Sequence, residues 1–276
     1  MFAPGLALGA SLSWGVGDYL GGVKSRVLPA LVVMGASQPF GLAGLGIAVA
    51  IRGSGPPGWE IAWAPFAALL GTTGLVAFYR GMAAGAMSVV VPIAAVAAGF
   101  PVVWGVVQGD NVSVVQGVGF ALALGGCVLT AVERGERRRL AAGAGWGLLA
   151  MLAFGGYYVP FHAAAHHDWL WPSLLFRMTS VSLVWTALLI TRTRPRGIRP
   201  HLAALFAVGI LDTGGNVFFA AASSAHGLLS VVSVLASLYP VVTVLLARML
   251  LGERVQRSQN VGVVAALAGV VLISAG

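Results

Sequence analysis

Polar residues are sparse along this chain and fall in clumps, and between the clumps the side chains are apolar for about 20 residues at a time. Ten such runs can be marked, with approximate limits 5–22, 30–51, 61–80, 87–107, 112–132, 145–164, 170–191, 202–223, 228–250 and 257–275. Each is continuous rather than alternating, the pattern of a helix buried on all sides and not of a barrel strand. The connections are short, and the longest carries ERGERRR at 133–139. The first run begins at residue 5 without a basic leader, so it is expected to be a retained helix rather than a signal peptide.

Composition decides what solvent these helices meet. Of the 276 residues 58% are hydrophobic and 9% charged, and the mean hydropathy is +0.92. A soluble domain would carry about a quarter charged residues. The reading is an all-α integral membrane protein with ten transmembrane helices, in contact with lipid on most outer faces. The 39 glycines suit helices whose backbones approach closely. One cysteine, Cys127, excludes an intramolecular disulfide.

The net charge of +8 would fit a nucleic-acid partner, but the placement of the charges fits a membrane rule better, and no nucleic acid is expected. Fourteen of the 16 Lys and Arg residues fall in loops after the odd-numbered runs; Arg52 alone lies on the other side, and Arg177 lies inside a run. Basic loops stay in the cytoplasm. Both termini are therefore expected outside, with the 133–144 linker inside.

The chain also repeats itself. At an offset of 139, GAMSVVVPIAAVAAGFPVV (85–103) falls on SAHGLLSVVSVLASLYPVV (224–242), so that Pro101 meets Pro240 and Phe100 meets Tyr239. Downstream the offset becomes 143, matching Asp110 with Glu253, Gln116 with Gln259, Gly119 with Gly262 and Gly126 with Gly269. LSWGVGDY (12–19) also resembles LAFGGYYV (152–159). The expected organisation is a five-helix repeat at 1–132, a basic linker at 133–144, and a second repeat at 145–276. Five is odd, so the second copy enters the bilayer inverted, the arrangement of many transporters. Pro240, inside the ninth run, is expected to kink a continuous helix. Gly252-Glu253-Arg254 is expected to close that helix at the cytoplasmic surface.

Pro240, the LLGER segment at 250–254, the helix carrying Gln259, Gly262 and Gly269, and Trp14-Gly15 in the first run together resemble the EamA family of the drug/metabolite transporter superfamily. The resemblance covers essentially the whole chain. The first half departs from it, with Gly109-Asp110-Asn111 where the family often has Gly-Glu followed by Lys or Arg. It implies transport of an amino acid, a related metabolite or a drug-like compound, in a family of both exporters and importers; the expectation is a secondary transporter, an exporter working by alternating access, in a prokaryotic plasma (inner) membrane. It implies no cofactor, and it leaves open a monomer or a homodimer.

Ionisable groups inside a span are costly and are functional candidates for that reason. Asp212 lies near the middle of the eighth run, about 15 Å from either surface, with Asn216 one turn on. At the 139 offset its counterpart is Thr73. Asp212 is expected to bind a cationic group or to exchange a proton as coupling ion. Asp18 shares a face with Ser11 and Trp14 but lies close to Lys24 and Arg26, so a solvated interfacial carboxylate fits it as well. Arg177 lies about 10 Å deep, and three roles are open to it: snorkelling, pairing with an intramembrane acid, or holding a substrate carboxylate.

Trp14, Tyr79, Tyr158 and Tyr239 supply rings and hydroxyls for a cavity wall. Ser230, Ser233 and Ser237 share one face, where close packing is the expected role. His162, His166, His167 and Asp168 fall at a helix end and in a loop, and no metal site is assigned to them. The rival functions are a membrane-embedded enzyme, whose required catalytic cluster only this weak histidine group could supply, and a non-transporting scaffold or sensor.

Overall fold

In the computed structural model the described residues are 2–83, 90, 93, 94, 96–131, 140–251 and 257–275, and they fold as helices joined by short turns. The basic stretch at 133–139 and Gly252-Glu253-Arg254 lie outside them. The helices, named here in chain order, are α1 (Phe2–Ser25), α2 (Ala30–Arg52), α3 (Trp63–Ala83), α4 (Gly99–Val107) and α5 (Val114–Ala131), then α6 (Leu140–Ala164), α7 (Leu170–Ile190), α8 (Leu202–Ser224), α9 (Leu229–Ala236), α10 (Tyr239–Leu251) and α11 (Arg257–Ala275). Single 3₁₀ turns precede α3, α4 and α8.

Five of these segments are both long and apolar enough to cross a membrane: Ala30–Arg52, Trp59–Ala83, Gly145–Ala164, Leu170–Ile190 and Arg199–Ser224. At 24 residues α1 matches them in length, but Ser11, Ser13, Asp18 and Lys24 lower its hydropathy. Large apolar side chains such as Val107, Val114, Leu189, Met249 and Val264 stand exposed, the surface that a bilayer covers.

The helix ends follow local chemistry. At the end of α2, Gly53 adopts φ 65°, and its N–H donates to the Val49 carbonyl, closing the last turn as only glycine does without strain. Asp168 precedes α7 and accepts a hydrogen bond from the Trp171 N–H at 2.9 Å. The same carboxylate holds Arg52 at 2.5 Å, tying the end of α2 to the α6–α7 turn.

The ninth apolar run is not one kinked helix. It breaks at Ser237-Leu238 into α9 and α10, and Pro240 sits at the second position of α10. In a first turn the ring costs nothing, because the missing N–H would have no helical acceptor there. Proline therefore starts a half-helix here. The fourth run shows a related device, with the turn Val96–Ala98 leading into α4 and Pro101 in its first turn.

Packing between helices depends on bare backbone. A Cβ on Gly126 would strike the backbone of Gly262 and Ala266, and one on Gly119 would strike Ile273 and the Gly269 carbonyl. Residue numbers rise along α5 as those of its contacts fall along α11, so the two helices are antiparallel and in backbone contact. The remaining principal pairings are α3 with α6, α1 with α8, α2 with α7 and α8, α3 with α7, and α1 with α10.

Candidate functional site

The site is built where α1 approaches α8. Ser13 Oγ donates to the Leu211 carbonyl at 2.7 Å. A Cβ on Gly215 would collide with the Trp14 ring, and Gly17 lies against Leu211 and the Asp212 N–H. The run Leu-Asp-Thr-Gly-Gly-Asn thus presents a carboxylate and an amide from a helix slim enough for a tryptophan to lie against it.

Asp212 does not stand alone. Arg177 Nη1 of α7 donates to Asp212 Oδ2 at 2.6 Å, with the arginine side chain 1% exposed and the aspartate 15%. Of the three roles open to Arg177, the geometry is the second: it pairs with an acid and does not snorkel. The neighbouring Phe176 ring lies 5.8 Å from the guanidinium carbon. Arg177 Nε and Nη2 are buried and have no hydrogen-bond partner among the described residues.

Asp18 is buried too, at 8% exposure, which excludes the solvated interfacial alternative. It lies within electrostatic reach of Asp212, and the Tyr79 hydroxyl is next to it, though outside ordinary hydrogen-bond geometry. Two carboxyls and one guanidinium therefore share a small volume.

Aromatic rings wall the opposite side. Tyr157 donates to Asn216 Oδ1 at 3.0 Å, and Trp14 meets Tyr157 and Tyr158 edge-on at 6.3 and 6.4 Å. Phe161 stacks with Tyr157 at 5.3 Å and supports it from behind. These groups line a single partly open cavity.

Seven of the eight sequence candidates line that cavity: Trp14, Asp18, Tyr158, Arg177, Asp212, Asn216 and Tyr239. Tyr79 does not; it sits one layer back, against Gly21 and Asp18. A polar chain that the sequence reading passed over also lines it, with Thr72 Oγ1 donating to Ser180 Oγ at 2.8 Å and Ser180 to Gln38 Oε1 at 3.0 Å. An amide within an apolar run, at Gln38, was the available signal.

Ser230, Ser233 and Ser237 are buried away from the cavity lining. Ser230, in the first turn of α9, is held by a distant residue: Asp110 Oδ2 accepts from its N–H at 3.1 Å and from its hydroxyl at 2.7 Å. His162 shares a hydrogen bond with Ser223 at 2.9 Å, while His166 packs against His167 and His226. Among the described residues no group of three or more His, Cys, Asp or Glu side chains is placed to hold a metal.

Residues 141–275 match the model of the EamA-like transporter family. A solved structure described only as "Crystal structure of protein" superposes with a TM-score of 0.79, covering 99% of this chain and 98% of that one at 15% identity, a likeness of fold alone. No curated protein matches the sequence.

Proposed function

From a chain whose residues 141–275 belong to the EamA-like transporter family, we propose that the whole is a secondary transporter that moves a small metabolite by alternating access between two inverted five-helix repeats, residues 1–132 and 145–276, joined by the basic linker 133–144. One observation carries the reading. A buried ion pair and an aromatic wall surround a cavity to which both halves contribute, Trp14, Asp18, Gln38 and Thr72 from one, Tyr158, Arg177, Asp212 and Tyr239 from the other.

The contacts support the repeat. Exchanging α1, α2, α3 and α5 with α6, α7, α8 and α11 turns the α1–α8 pair into α6–α3, the α2–α8 pair into α7–α3, and leaves α2–α7 and α5–α11 unchanged. Single residues obey the same exchange. Gly15 lies against Val242 and the Tyr239 carbonyl and Gly155 against the Phe100 ring, while Gly215 packs on the Trp14 ring as Gly74 packs on that of Phe154. The last correspondence, 215 against 74, sets an offset of 141 at this point. It moves the counterpart of Asp212 from Thr73 to Gly71, so the acid belongs to one half only.

The charge asymmetry of the loops supports a plasma-membrane protein with both termini outside. Outward transport is part of the proposal; the family resemblance itself embraces importers as well as exporters. Asp212 is already engaged by Arg177, which makes Asp18 the carboxyl better suited to exchange a proton. The test is a thermal-stability screen of the purified protein against amino acids, nucleosides, sugars and cationic drugs, since a ligand that binds the folded state raises the midpoint. Each stabilising compound is then followed across reconstituted vesicles. Saturable flux of at least one is expected, and bound compounds that never cross would overturn the reading.

A further inference from the structure

The buried guanidinium of Arg177 is only half used. Its Nη1 serves Asp212, and one face is turned toward Phe176, while Nε and Nη2 have no partner among the described residues. Those two nitrogens form one side of the planar fork, two parallel N–H donors at the spacing of the oxygens of a carboxylate. Leaving such donors unpaired in a buried site is costly, and Arg177 lines the cavity from which a partner would come.

We propose that this free edge is an oxyanion subsite and that the solute is a monovalent carboxylate with an apolar or aromatic body. The proposal rests on the transporter reading only for what becomes of the bound solute. A doubly charged phosphate is disfavoured by the two carboxyls, Asp18 and Asp212, beside one guanidinium, whereas a monovalent carboxylate is accommodated when Asp18, the carboxyl suited to exchange a proton, is protonated. The titratable groups that line the same cavity are Asp212 from α8, Asp18 from α1, Tyr157 and Tyr158 from α6, and Tyr239 from α10. Trp14, Phe154 and Phe176 offer rings for the solute's body.

Titration calorimetry of the purified protein decides it, with acetate, hexanoate, benzoate and 3-phenylpropanoate each measured against its own amide, and with 2-phenylethylamine as a cationic probe. At least one carboxylate should bind about tenfold more tightly than its amide, and Arg177→Lys, which keeps the charge and loses the fork, should remove that preference. Carboxylates that bind no better than their amides, or an amine that binds best, would overturn the proposal, as would a preference undiminished in the lysine variant. Because the acid-to-amide comparison is made on the unaltered protein, poor folding of the variant leaves it intact. A carboxylate that binds through Arg177 and does not cross vesicles would leave the subsite standing and remove the transporter reading.

Discussion

Arg177 and Asp212 set the energetic stakes at the residue scale. A charge buried this deeply is tolerated because its partner lies 2.6 Å away, and removing one member strands the other. Asp212→Asn and Arg177→Gln should therefore each lower stability by about 3 kcal/mol, while the double variant should recover most of the loss. Denaturation of the three proteins in one detergent measures this; single losses that simply add in the double variant would mean the pair is not coupled. The candidacy of Asp212, Asn216 and Arg177 was legible in the sequence, since a charge or amide in mid-span has few cheap explanations. The pairing was not, because it joins positions 35 residues apart across two helices. Thr72 and Ser180 were harder still, since hydroxyls satisfy themselves on their own helix as easily as across a cavity.

The glycines control how closely the elements approach. Gly125 and Gly126 are neighbours on α5, yet a Cβ on Gly125 meets nothing within 4 Å and one on Gly126 meets the backbone of α11. Gly126→Ala should cost about 1–3 kcal/mol, as overpacking does, while Gly125→Ala should be neutral or slightly stabilising through helix propensity. Thermal midpoints of the two variants compare them directly, and equal midpoints would contradict the close α5–α11 packing. Hydropathy alone located the long helices within a few residues of their ends. It misread the ninth run, because an apolar stretch reads alike whether continuous or broken, and proline is compatible with both a kink and a helix start. What distinguishes them is the turn at Ser237-Leu238, whose residues have no breaker signature of their own.

For the whole molecule, the loop charges predict that a reporter fused at Gly276 is active outside the cytoplasm and one within 133–139 inside; a cytoplasmic signal at Gly276 would reverse the orientation. The central claim is that the two halves move against each other around the cavity. Asp110 holds Ser230 through its carboxylate, joining the α4–α5 turn to the start of α9 at the end that the loop charges put outside. The most direct measurement is solute flux through vesicles containing Asp110→Cys/Ser230→Cys protein, with Cys127 replaced by serine, before and after oxidation. The account predicts that flux stops when the disulfide forms and returns on reduction; flux that continues unchanged through the cross-linked protein would contradict it.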